Sequence, residues 1–226
     1  MARVLGPNAR IISFEMDPEV ACLALNMIEF AGMSDAIEVW IGQSEDLVCR
    51  LARELGPRSV NMVYMDHNQI TYHQDFAQLE AMQMLAKDSL LAATQGLKPG
   101  APLLLWRLAE GQKLGRYEFE VVSSPDCGCK QMEDWVVLAR FRADNGSQDW
   151  SPPEPPREIS LLAAECNLMR WRTPKGLVDE TRWNAFVQHV RRTMQHFAGV
   201  TSDRDAWPDP AIRDKVRNLS YQRLDY

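Results

Sequence analysis

From residue 9 onward, short β-branched and apolar runs alternate with segments of helical periodicity, and this alternation constrains the fold more than any other feature of the chain. Strand and helix taking turns is the pattern of a parallel sheet covered by helices, so the expected class is α/β. Candidate strands occupy residues 9–15, 37–41, 60–66 and 89–93, and helical patterns fill 18–30, 45–55 and 74–85. Helix starts are marked by their chemistry. Asp17 stands before Pro18, a capping carboxylate ahead of a proline at the first helical position, and Ser44 precedes Glu45 and Asp46 in the same manner. Two further strands are expected at 117–123 and 135–141, the second too apolar for an open surface.

A break follows. Residues 143–156 contain Asn-Gly-Ser and Pro-Pro-Glu-Pro-Pro, a composition that stops helix and sheet and favours an extended linker. Beyond it Trp183, Phe186, Val187, Val190, Met194 and Phe197 recur at helical spacing, predicting one helix over 179–197 whose apolar face packs on the main domain. A weaker helical pattern covers 211–219. The chain therefore divides into a main domain over 1–142, a Pro-rich linker over 143–157 and a helical C-terminal extension over 158–226.

Composition narrows the function classes. The hydrophobic content of 46% is ample for a core, and no apolar run approaches the length of about 20 residues needed to cross a bilayer, so a soluble, cytoplasmic chain without a membrane partner is expected. Five scattered cysteines argue against a disulfide framework, and Cys127 and Cys129 have no second ligand pair at metal spacing. Residues 1–156 carry 13 basic against 22 acidic side chains, which disfavours nucleic acid as a partner. Oligomeric state is not readable from the sequence.

In open α/β sheets ligands bind outside the carboxyl ends of the strands, so the residues closing each strand are the candidates for chemistry. Glu15 closes the first run. A carboxylate there can accept hydrogen bonds from both ribose hydroxyls of a nucleoside, or can serve as a turn or helix-cap partner. Gly42-Gln43-Ser44-Glu45 brings small and polar groups to a helix start, suited to an adenine edge or to plain capping. Asp66 and His67 end the 60–66 run, and one carboxylate alone does not make a Mg²⁺ site. Thr94-Gln95 follows the 89–93 run and adds no negative charge.

Taken in order, residues 1–10 (Met-Ala-Arg-Val-Leu-Gly-Pro-Asn-Ala-Arg), Glu-Met-Asp-Pro at 15–18, Phe-Ala-Gly-Met at 30–33, Gly-Gln-Ser-Glu-Asp at 42–46, Asn-Met-Val-Tyr-Met-Asp-His at 61–67 and Pro-Gly-Ala-Pro at 99–102 resemble the catechol O-methyltransferase family. The resemblance implies a Rossmann-like class I methyltransferase sheet, S-adenosylmethionine and Mg²⁺ as cofactors, and a small phenolic substrate. In that reading Glu15 would bind the ribose, Met16 would cover the adenine, and Ser44, Glu45 and His67 would line its pocket. Asp66 would be the first Mg²⁺ ligand, and Glu133 or Asp134 would stand where the family holds the second catechol hydroxyl.

The departures from the family are specific. Gln69 stands at the position of the family's lysine base and cannot take a proton. Thr94 and Gln95 replace the second and third metal ligands, Asp and Asn, leaving a degenerate metal site, and Asn68 replaces an aromatic wall. The family's first strand and glycine-rich loop would lie before Met1, so the sheet is expected to lack that strand, with runs 9–15 and 60–66 either paired directly or flanking a gap. Three functions are compatible with this: impaired methyl transfer to a catechol hydroxyl, metal-independent transfer to another nucleophile, or a non-catalytic relative that binds a partner.

Overall fold

The computed structural model describes residues 1–6, 8–125, 133–142, 150–173 and 178–202. The pattern at 211–219 and the pair Cys127 and Cys129 lie outside them. The chain forms two compact units, Met1–Ser59 with Asp75–Met84, and Val60–Gln74 with Leu85–Tyr226.

The first unit contains α1 (Ala2–Leu5), β1 (Ile11–Glu15), α2 (Pro18–Phe30), β2 (Ile37–Ile41) and α3 (Ser44–Leu55). β1 and β2 pair in parallel with Glu15 opposite Ile41, so both carboxyl ends fall at one edge, and α2 is the crossover packed on them. The start of α2 is as expected: Asp17 Oδ1 accepts from the backbone N–H of Glu19 at 2.8 Å and of Val20 at 3.3 Å. The start of α3 corrects the sequence reading. Its N-cap is Gln43, which makes no side-chain cap; Ser44 is the first helical residue, and its hydroxyl donates to Asp75 Oδ1 at 2.7 Å. Gly42 permits the tight entry, since at φ 148° it lies in a region that favours glycine and a Cβ there would come within 3.3 Å of the Leu47 side chain.

The second unit holds β3 (Val60–Met65), β4 (Leu85–Ala93), β5 (Tyr117–Pro125) and β6 (Glu133–Phe141) in the order β3-β4-β6-β5. β3 and β4 are parallel with Met65 opposite Ala93, while β6 runs antiparallel to both of its neighbours. Among the described residues β1 pairs with β2 alone and β3 with β4 alone, so the direct pairing of runs 9–15 and 60–66 does not form. α4 (Tyr72–Ala81) starts earlier and stops sooner than its apolar spacing suggested. The chain turns at Gln83, which takes a left-handed φ of 56°, and residues 85–88 lengthen β4.

Three helices complete this unit: α5 (Pro102–Lys113), α6 (Arg157–Arg172) and α7 (Glu180–Ala198). α5 packs on β5, α6 and α7, burying Leu104, Leu105 and Leu108 with Ile159, Leu162, Val190 and Met194. The helix expected over 179–197 is present as α7, capped by Asp179, whose carboxylate accepts from Arg182 N at 2.7 Å. α5 and α6 were not read from the sequence. The stretch expected as linker is docked over residues 150–156: Trp150 lies under the guanidinium groups of Arg107 and Arg116, 5.0 and 4.9 Å from its ring centroid, and Trp106 Nε1 donates to Pro153 O at 3.0 Å. Among the described residues no helix is long and apolar enough to cross a membrane.

Candidate functional site

In the first unit the carboxyl ends of β1 and β2 bring Glu15, Met16, Ser44 and Glu45 to one edge. Glu15 Oε1 accepts from Asp17 N at 2.8 Å, which orients the carboxylate and leaves Oε2 without a partner among the described residues. The side chain is thus a turn partner through one oxygen and available through the other. Met16 is 70% exposed at the strand end. Ser44 spends its proton on Asp75 and retains only acceptor capacity. The Gly42 N–H donates to Glu15 O at 2.9 Å, joining the two strand ends.

In the second unit the parallel register of β3 and β4 sets Asp66 beside Thr94 and Gln95. Thr94 Oγ1 donates to Asp66 Oδ1 at 2.5 Å, and Gln95 Nε2 donates to the same oxygen at 3.3 Å. Gln69 is 5% exposed, and its Nε2 donates to Gln95 Oε1. Tyr72, a residue the sequence reading passed over, is fully buried in this group, and the His67 ring packs on it with centroids 4.7 Å apart. Burial pushes the Tyr72 hydroxyl far up, and the nearby Asp66 charge adds to that against opposing contacts from Thr94 and Gln69, so the phenol stays protonated. A tyrosine three residues beyond Gln69, at the first position of α4, was the signal available.

This donor set does not fit a Mg²⁺ ion. Asp66 is its one carboxylate, and the sole ligating atom of Gln95, Oε1, is engaged by Gln69. Nor do the described residues contain any group of three or more His, Cys, Asp or Glu side chains arranged to hold a metal. The acidic pair on β6 is also committed. Asp134 Oδ1 accepts from the backbone N–H groups of Leu97 and Lys98 at 3.1 and 3.0 Å, capping the wide turn Gly96–Gly100. Glu133 accepts from Ser123 Oγ at 2.8 Å and Trp135 Nε1 at 3.2 Å and pairs with Arg191 of α7. Burial alone would raise its pKa, but the hydrogen bonds from Ser123 and Arg191 and the Arg191 charge outweigh it and hold the carboxyl below the ordinary glutamate value.

Comparison with known proteins places the chain among its relatives. Catechol O-methyltransferase of Sus scrofa is 35% identical over 124 residues, 55% of this chain and 65% of that one. The Mus musculus protein of the same name is 35% identical over 102 residues, 45% of this chain and 38% of its own length. Over this span the chain is similar to the catechol O-methyltransferases. It spans less than two thirds of the length of these curated relatives. The Homo sapiens transmembrane O-methyltransferase is 31% identical over 118 residues, 52% of this chain and 40% of that protein. No family model matches. Among solved structures, cofactor-bound Rv0187 from MTB aligns with a TM-score of 0.50 at 18% identity, covering 63% of this chain and 66% of that one. A candidate O-methyltransferase from Klebsiella pneumoniae aligns with a TM-score of 0.50 at 14% identity, covering 63% and 66%. These likenesses show a Rossmann-like fold of the class I methyltransferase type.

Proposed function

We propose that the protein is an S-adenosylmethionine-binding O-methyltransferase homologue whose methylation of catechols is impaired. Similarity to the catechol O-methyltransferases supports the cofactor, and the placement of Glu15 supports the binding mode: its Oε2, at the carboxyl end of β1, would hold the ribose hydroxyls. Met16 and Glu45 would border the adenine at the same edge, and Ser44 would take part as an acceptor only. When bound, S-adenosylmethionine supplies a sulfonium-activated methyl group. The observation that carries the impairment is Gln69. It occupies the family base position, has no proton-accepting amine, and its amide N–H is already given to Gln95.

The test is a single-turnover methyl-transfer assay on catechol, with and without Mg²⁺. The expected result is transfer far below that of the mammalian relatives and unchanged by Mg²⁺. Mg²⁺-dependent turnover that disappears in Asp66→Ala would overturn the proposal. A second reading, a non-catalytic relative that binds a partner through this fold, is favoured by the commitment of Glu133 to Arg191. Calorimetry with S-adenosylhomocysteine separates the two: binding supports the first reading, and its absence at millimolar ligand supports the second.

A further inference from the structure

We infer that the ends of β3 and β4 are tied by a cation-independent hydrogen-bonded latch centred on Asp66, and that this latch, in the place of a dication, orders the loop from Asp66 to Tyr72. The inference stands whether or not the chain transfers methyl groups. Its basis is the fixed direction of every bond in the group. A carboxylate can only accept, so Thr94 must donate its hydroxyl proton, and Gln95 must turn its amide nitrogen, not its oxygen, toward Asp66. The Gln95 oxygen then points away and accepts from Gln69 Nε2. Each choice dictates the next, and the polarity runs from Gln69 through Gln95 to the carboxylate.

A hard cation needs the opposite polarity, with oxygen lone pairs converging on one point. Admitting it would require reversing the Gln95 amide, which places its oxygen where Asp66 now accepts and its N–H groups against those of Gln69. It would also require turning the Thr94 proton away. The latch reaches the backbone as well, since Thr94 N donates to Met65 O at 3.1 Å. The loop closes on itself at Asn68, whose carbonyl accepts from Thr71 N and Thr71 Oγ1, each at 3.0 Å. Gln69 is almost wholly buried, so its bond to Gln95 forms where water competes little, while Asp66 at the other end is exposed and its two bonds meet solvent.

The test uses the full chain and two readouts. In thermal unfolding, millimolar MgCl₂ or MnCl₂ is expected to leave the midpoint where an equal ionic strength of NaCl leaves it. Asp66→Ala and Thr94→Val are each expected to lower the midpoint, and the double variant to lower it by less than the sum, because both remove the same bond. Water-proton relaxation with Mn²⁺ on the unaltered chain is expected to show no site, and on Thr94→Asp with Gln95→Asn to show one. A rise in the midpoint with Mg²⁺ or a Mn²⁺ site on the unaltered chain would overturn the inference, as would strictly additive losses. Should the alanine and valine variants fail to fold, the relaxation measurement and Asp66→Asn decide it: the asparagine keeps an acceptor for Thr94, so it should fold and lose less than half of what Asp66→Glu loses, and the reverse order would sink the latch.

Discussion

Replacing Arg191 by alanine tests how α7 is held. Arg191 and Glu133 face each other with side chains 17% and 11% exposed, so solvent screens the pair little. Removing the cation strands a buried carboxylate. Breaking such a pair costs about 3–5 kcal/mol, and the donors that Glu133 keeps, Ser123 Oγ and Trp135 Nε1, place this case at the low end, about 3 kcal/mol. For a chain of this size that corresponds to a fall in Tm of about 6–12 °C by circular dichroism at neutral pH. The pH dependence has a definite sign. The folded-state pKa of Glu133 lies below its ordinary value of 4.5, so its stabilisation is full above that value and is lost as the pH falls through the folded-state pKa. The gap between the unaltered chain and Arg191→Ala should therefore shrink in acid. A Tm change under about 2 °C at neutral pH, about 0.5–1 kcal/mol for this size, or a gap that stays constant in acid, would refute the reasoning.

Gly111→Val should destabilise strongly, by about 3 kcal/mol or more, because a Cβ at this position would lie 2.2 Å from the Tyr117 ring; a urea unfolding curve measures it. Asp17→Ala removes the acceptor for two backbone N–H groups at the start of α2 and should cost about 1 kcal/mol in the same assay, while Asp17→Asn should recover most of it. Cys22 is exposed and Cys166 is buried with its thiol pushed far up by desolvation, so a thiol reagent under native conditions should modify Cys22 and reach Cys166 only on unfolding; peptide mapping by mass spectrometry distinguishes them.

The elements legible in the sequence were those with a local signal. α2 was bounded correctly because Asp17 and Pro18 announce its start, and β2 because its run is short and flanked by Gly42. α6 was missed although Ile159, Leu162, Cys166 and Met169 fall at spacings of three, four and three, because Ser160, Glu165 and Asn167 dilute the pattern and the proline run before it drew attention to breakage. The composition of the site was readable, including the absence of a second carboxylate, but its bonding was not. That Gln69 reaches Gln95 depends on two loops brought together by the register of β3 and β4, a pairing across residues distant in sequence. Likewise nothing local to Glu133 indicated that a side chain of α7 would meet it.

The seat of Trp150 carries a consequence for how this protein can be divided. Its indole fills the space between Arg107 on α5 and Arg116 just beyond it, and touches Tyr117 on β5 edge-on, while the carbonyl of Pro153 receives the Trp106 N–H. A proline-rich stretch of this composition is where one would cut a chain to obtain its halves. Here the cut would uncover one wall of α5 and strip two cations of the aromatic face they share. The scissors belong elsewhere, and a shortened chain that ends at residue 142 should be less soluble than the whole.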